Sequence, residues 1–194
     1  MILAEKIFFK LFEKKGLENY LKSIEFSSGG GSASGGKDGR VLDVGCGYGW
    51  YSELFPKNYT GIDIDEEKIN NARKQHPNVR FEIMSAANLA FSEESFDLSF
   101  SIAVLHHLKD EEVIGAFKKM LQATREGGRV LIIDMVLPKK LQWLAKLGFL
   151  ADKGACQRSF EELLELLMKA GIQPRFKSLS RFLHLGIGVF EFLV

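Results

Sequence analysis

Much that would mark a secreted, membrane-spanning or nucleic-acid-coating protein is missing from this sequence. There are only two cysteines, Cys46 and Cys156. They lie far apart and form no CxxC, which argues against a disulfide framework or a zinc site and for a reducing interior. No apolar run approaches the roughly 20 residues that span a bilayer. The amino-terminal stretch MILAEKIFFKLFEKKGLENYLKSIEF carries Glu5, Lys6 and Lys10 and no small-residue cleavage site, so it reads as a helix and not a signal peptide. Neither sign of charge dominates: 26 Lys and Arg face 25 Asp and Glu, a net +1. That balance supplies no general attraction for nucleic acid or an acidic membrane, although a local patch can hide within it. No cluster of Asp and Glu stands out at metal-binding spacing, and no metal is expected. The expected location is the cytoplasm.

What is present divides into three parts. Residues 1–26 place Ile2, Leu3, Ile7, Phe8, Leu11 and Phe12 at helical spacing, with Gly16 as an interruption and Leu17 to Ile24 as a resumption. This amphipathic segment is expected to act as a lid. Residues 27–39, SSGGGSASGGKDG, can bury nothing and read as a flexible tether, engineered in look as much as natural. Residues 40–194 then alternate strand and helix. Strands are expected at Val41–Val44, Tyr59–Ile64, Val79–Met84, Phe96–Ile102 and Arg129–Ile133. Helices are expected at Tyr51–Phe55, Glu66–Gln75, Glu111–Thr124, Leu141–Leu150 and Phe160–Lys169. Two extended pieces, Arg175–Phe182 and Gly186–Val194, are joined too closely to be parallel. The fold class is therefore α/β: a doubly wound, mostly parallel sheet with helices on both faces and an antiparallel C-terminal strand pair.

In such a sheet, ligands sit beyond the carboxyl ends of the strands, where the strand order reverses. The first strand runs into RVLDVGCGYGW, in which Gly45, Gly47 and Gly49 leave main chain open to close approach. The following helix would offer its free N–H groups. The spacing is G-x-G-x-G, not the G-x-G-x-x-G of dinucleotide binders, and Asp43 would repel a pyrophosphate but meet an ammonium. Asp63, in GIDID at the end of the second strand, falls where an acid takes ribose hydroxyls, and Ile64 beside it could lie against a purine. The plainer alternative makes the glycines a tight turn and Asp63 a helix cap.

With these residues in view, the sequence resembles the class I S-adenosylmethionine-dependent methyltransferases with a Rossmann-like fold. VLDVGCGYG is similar to their first motif and GIDIDEEKI to their second-strand acid. NLAFSEESFDLSFSIAVLHHL and REGGRVLIID resemble the segments around their fourth and fifth strands. The likeness covers Val41 to Asp134 and is nearest the small-molecule branch, quinone-type enzymes included. It implies S-adenosyl-L-methionine as cofactor, with S-adenosyl-L-homocysteine as product. Asp43, Gly45 and Gly47 would hold the methionine end, with Cys46, Tyr48 and Gly49 in the same turn. Asp63 would take the ribose, Ser85 and Ala86 would border the adenine, and Ser101 and Ile102 the sulfonium. Ser85 stands where the family often carries an acid for the adenine amino group, which puts some cofactor affinity in doubt.

Methyl transfer from a sulfonium needs alignment and exclusion of water more than it needs protein chemistry. A general base is required only for a protonated acceptor. His106 and His107, past the fourth strand, are the candidates for that role or for positioning the acceptor; packing and loop roles are the alternative. Asp134 is expected at the same rim, facing an acceptor or solvent. Leu141 to Leu150 could be core, an apolar substrate cover or an interfacial membrane contact. The expected activity is methyl transfer to a small, possibly lipophilic acceptor by in-line displacement. Two other readings stand beside it: a non-catalytic cofactor-binding scaffold or regulatory subunit, and an aminopropyltransferase using decarboxylated S-adenosylmethionine.

Overall fold

The computed structural model describes residues 14–24, 39–55, 57–137, 156, 158–170, 175–178 and 187–194. The expected lid helix over Ile2 to Phe12, the tether up to residue 38 and the helix expected at Leu141–Leu150 lie outside them. Seven strands form one sheet: β1 Val41–Val44, β2 Tyr59–Asp63, β3 Arg80–Ile83, β4 Phe96–Ile102, β5 Thr124–Met135, β6 Arg175–Ser178 and β7 Ile187–Leu193. Their spatial order is β3-β2-β1-β4-β5-β7-β6. The first five run parallel, whereas β7 is antiparallel to both β5 and β6. The chain thus winds outward from β1 in one direction, then returns to β4 and winds the other way. The carboxyl end of β1 is the point of reversal.

Side-chain alternation along the strands builds two cores. Leu131 and Ile133 of β5 and Val189 of β7 face one side, where helices α1 (Lys14–Lys22) and α2 (Glu66–Gln75) supply Leu17, Leu21, Ile69 and Ala72. Val130, Ile132, Phe190 and Phe192 face the other, against Phe117 and Met120 of α3 (Asp110–Ala123) and Leu163 and Leu167 of α4 (Phe160–Met168). All these positions are buried. Each buried aliphatic or aromatic side chain contributes about 1.5–3 kcal/mol, so a period-two strand between two helical layers gains from both faces. The helix starts are written in the sequence. Ser159 caps α4 by accepting from the Glu162 N–H at 3.2 Å while its own N–H donates to the Glu162 carboxylate at 2.6 Å, a reciprocal capping box. Asp65 caps α2 through the N–H groups of Glu67 and Lys68 at 3.0 and 3.1 Å.

Three expectations need correction. Gly16 does not interrupt the first described helix, which runs through it from Lys14 to Lys22 because Leu17, Leu21 and Ile24 are anchored in the core. The helix expected at Tyr51–Phe55 is a single 3-10 turn, Ser52–Leu54; Pro56 in the sequence leaves no room for another turn. The fifth strand starts five residues early, at Thr124. Its pairing with β4 slips between Phe96↔Thr124 and Leu98↔Arg129, and Gly127, with φ +72°, absorbs the irregularity.

Candidate active site

The turns that leave β1, β2, β3, β4 and β5 meet around a cavity of about 380 Å³, at the reversal point where the topology places a ligand. Asp43, Gly45, Cys46 and Gly47 line it from the first turn, Asp63 and Ile64 from the second strand, Ser85 and Ala86 from the third. Ile102, His106 and His107 close the side beyond β4. Of the residues singled out in the sequence, Tyr48, Gly49 and Ser101 are not in the lining. Ser101 alternates with Phe100 and Ile102, which face the α1–α2 side, so its side chain projects toward the opposite layer.

The glycines of the first turn have separate reasons. A Cβ on Gly45 would meet Val104 Cγ2 at 2.2 Å and one on Gly49 would meet Phe81 Cζ at 2.7 Å, so protein side chains close over both. Gly47, at φ +54°, is the one whose nearest neighbour is a more distant 3.6 Å, the Trp50 Nε1. Gly45 and Gly47 both line the cavity, and at Gly47 no side chain closes over the main chain. The Gly45 and Cys46 N–H groups both donate to the Ile62 carbonyl at 2.8 Å, which bolts the turn to β2. The expected helix N-terminus is not part of this site, since only the 3-10 turn follows.

Asp63 is held by main chain on both sides. Its Oδ2 accepts from the Gly47 N–H and its Oδ1 from the Asp65 N–H, each at 2.9 Å. Each oxygen keeps a lone pair for another donor. The helix cap of the plainer reading is Asp65, leaving Asp63 to the cavity. Beside it Ile64 is 74% exposed and lines the same cavity.

Asp43 is buried and its Oδ2 accepts from the Tyr59 hydroxyl at 2.5 Å. Burial pushes its carboxyl up to about 7; the Tyr59 hydrogen bond works against the rise and nearby Asp63 adds to it. The same burial, together with Asp43 and Asp63, holds the Cys46 thiol far above its ordinary range, so it is a packing group and not a nucleophile. The Ser85 hydroxyl accepts from the Ala87 N–H at 3.3 Å and caps the short turn that follows β3.

Beyond β4 the chain turns sharply at Ala103, a non-glycine with φ +57°. Asp134, expected at the rim facing an acceptor or solvent, is instead fully buried there. It accepts from the N–H groups of Val104, Leu105 and Met135 at 3.2, 2.6 and 2.7 Å, and pairs with His106 Nδ1 at 2.5 Å. His106 is 4% exposed and its ring centroid lies 4.0 Å from that of His107, which is exposed. Arg158 grips the same turn from outside, donating to the Leu105 carbonyl at 3.1 Å, the Leu108 carbonyl at 2.7 Å and the Asp110 carboxylate at 2.7 Å. The sequence reading missed Arg158, and missed Tyr51, Lys68, Met84 and Met135 in the lining. Tyr51, an aromatic two residues past the last glycine of the turn, was the most accessible signal.

This fold and this turn define a doubly wound α/β domain of the kind that binds a nucleoside-bearing ligand. Residues 41–128 match the family described as a methyltransferase domain. Among curated proteins, the tRNA (carboxymethyluridine(34)-5-O)-methyltransferase of Saccharomyces cerevisiae is 30% identical over 71% of this chain and 47% of its own length. The 2-methyl-6-phytyl-1,4-hydroquinone methyltransferase of Synechocystis is 33% identical over 48% of this chain and 31% of its own. The chain therefore spans half or less of the length of these curated relatives. Among solved structures, the S-adenosylmethionine-dependent methyltransferase of Mesorhizobium loti shares the fold with a TM-score of 0.63, over 89% of this chain and 94% of that one at 19% identity. Residues 41–128 are thus similar to a methyltransferase domain, set in a fold shared with that solved S-adenosylmethionine-dependent methyltransferase. Among the described residues, no helix is long and apolar enough to cross a membrane.

Proposed function

We propose that this domain binds S-adenosyl-L-methionine in the cavity at the end of β1 and transfers its methyl group to a small acceptor. The observation that carries the reading is Asp63, a carboxylate fixed by the Gly47 and Asp65 N–H groups and still able to accept two hydroxyls. Vicinal ribose hydroxyls fit that pair of oxygens. The rest of the lining fits the remainder of the molecule. Asp43 offers a buried carboxyl to an ammonium, and Gly47 lets the amino-acid end touch main chain. Ile64 and Ala86 give an apolar bed for a purine. The cofactor, once bound, supplies an activated methyl on a sulfonium. The chain's part is to align it with the acceptor and keep water out.

His106 and His107 line the side of the cavity that an acceptor must approach, which suits an acceptor-positioning or proton-accepting role. The apolar residues around them, Val104, Leu108 and Met135, favour an acceptor with apolar surface. The amino-terminal segment serves as a cover and residues 40–194 as the binding domain, consistent with the packing of Leu17 and Leu21 beside Tyr51.

Calorimetric titration with S-adenosylmethionine and S-adenosylhomocysteine tests the reading. Micromolar binding is expected in the intact protein, weakened by Asp63→Ala by about 1–3 kcal/mol, the scale of lost hydrogen bonds to a charged group. Absence of binding to both compounds refutes it. An acceptor screen then compares hydroquinones with tRNA, and methylation of tRNA alone overturns the small-acceptor part.

A further inference from the structure

Among the described residues, two buried side-chain hydroxyls have no hydrogen-bond partner, those of Tyr51 and Ser101. Ser101 projects away from the cavity, whereas Tyr51 is part of its wall. A buried hydroxyl without a partner has lost its hydration and gained nothing in exchange, so native structures seldom keep one without a reason. The ring of Tyr51 is fixed. It is 3% exposed, packs edge-on against Phe100 with centroids 6.0 Å apart, and shares a core cluster with Leu17 and Leu21 of α1. Its hydroxyl is shut off from bulk water, and the space its side chain borders is the cavity. Charge decides which ligand group belongs beside it. Burial first, then Asp43, then Glu18 of α1 hold the hydroxyl well above its ordinary range. It therefore stays neutral, and the charged groups that act on it are both acids. A neutral oxygen near two acids is a poor place for a carboxylate and a good one for a cation.

We infer that Tyr51 is a further ligand-binding residue: its hydroxyl accepts from the ammonium at the amino-acid end of the ligand, beside Asp43, so that the cavity selects for the amino group of that end and not for its carboxylate. This deepens the reading of the preceding subsection and rests on it for the identity of the ligand. A primary ammonium carries three N–H donors. Asp43 has Oδ2 already engaged by the Tyr59 hydroxyl at 2.5 Å, so its carboxyl cannot satisfy all three, and a hydroxyl lone pair takes another. The sequence places the two acceptors symmetrically. Asp43 stands two residues before Gly45 and Tyr51 two residues after Gly49, so a single turn carries both, with the open main chain of Gly47 between them. Loss of the ligand's carboxylate should leave this contact intact, and loss of its amino group should remove it.

Calorimetry of the intact protein with a set of adenosine thioethers tests this. The set is S-adenosylhomocysteine, its analogue with hydrogen in place of the carboxylate, its analogue with hydrogen in place of the amino group, and 5′-methylthioadenosine, which has neither group. Tyr51→Phe keeps the ring and deletes the oxygen. It is expected to weaken S-adenosylhomocysteine and the amine-only analogue about tenfold or more, the loss of a hydrogen bond to a charged group, and to leave the other two within about threefold. The unliganded variant should melt no lower than wild type, since no bond among the described residues is lost. A loss of affinity that follows the carboxylate, with the amine-only analogue bound equally by wild type and variant, overturns the inference. So does a variant that melts several degrees lower, which would show the hydroxyl partnered within the fold. Binding of S-adenosylhomocysteine that Tyr51→Phe does not change overturns the inference alone. Wild-type protein that binds none of the set overturns the cofactor reading and this inference with it.

Discussion

Replacing Asp43 by asparagine should move cofactor affinity and stability in opposite directions. Asp43 is buried, and its carboxyl is pushed up to about 7 from the usual 3.8, by burial first and by Asp63 in lesser measure, against the Tyr59 hydrogen bond. Tyr59, Tyr51 and Cys46 beside it are all held above their ordinary values and stay protonated through neutral pH. The sign for stability follows from linkage. The unfolded chain releases the Asp43 proton near pH 4 and the folded chain near pH 7, so the folded state is not penalised below pH 4. Between those values it loses about 1.4 kcal/mol per pH unit, at most ~4 kcal/mol in all, and the loss stays constant above them. The sign for binding is the reverse, because an ammonium needs the ionised form. At pH 6 only about a tenth of a group titrating near 7 is charged, so the dissociation constant for S-adenosylhomocysteine should rise about tenfold per unit below pH 7 and level off above it. Asp43→Asn keeps an acceptor for the Tyr59 hydroxyl and can never ionise. At pH 8 the unliganded variant should melt higher than wild type and bind S-adenosylhomocysteine more weakly; at pH 5 the two should nearly coincide in both respects. Calorimetry at pH 5.5 to 8 with parallel thermal melts checks this. Wild-type affinity that is flat across the range, with the variant offset by a constant factor, refutes the reasoning.

Gly45→Ala places a Cβ against Val104 Cγ2 in a backbone with φ +82°. The left-handed conformation costs about 1–2 kcal/mol and the overlap about 1–3 kcal/mol more. Adding Val104→Ala should recover the second part and not the first, as read by urea unfolding. Arg158→Met should cost about 2 kcal/mol, because three acceptors lose a buried donor, whereas Asp110→Ala, on the 62% exposed side of the pair, should cost under 1 kcal/mol. Ser85→Ala should leave S-adenosylhomocysteine affinity within about threefold, since its hydroxyl serves the Ala87 N–H; Ser85→Asp should tighten binding if the adenine amino group lies there.

Much of the parallel core was legible because its signals are local. Phe96–Ile102 and Glu66–Gln75 carry their period and caps within their own residues, and the structure has them at those bounds. The antiparallel setting of the last strands followed from their short connection. The early start of β5 was not legible, since Gly127 and Gly128 signal a turn and only pairing with β4 turns that segment into a bulged strand. Within the site, Asp63 and Gly47 could be picked out by spacing. The reason for Gly45 could not, because Val104 approaches it from 59 positions away and no local pattern encodes that contact. Asp134 was misplaced for the same cause. A strand-end acid is usually wet; this one is dry because the turn after β4 folds the Val104 and Leu105 N–H groups over it and the Met135 N–H of its own strand closes on it.

The antiparallel seat of β7 sets an order of assembly for the chain. β7 pairs along β5 with Asp134 opposite Gly188 and Met135 opposite Ile187. The first turn, Asp63 and the β1–β2–β4 strands are complete in sequence by Ile102. During synthesis the nucleoside half of the cavity can therefore form while the strand that walls in Asp134 is still unmade. Damage to β7 should therefore loosen Asp134 and its His106 partner while leaving Asp63 held by the Gly47 and Asp65 N–H groups.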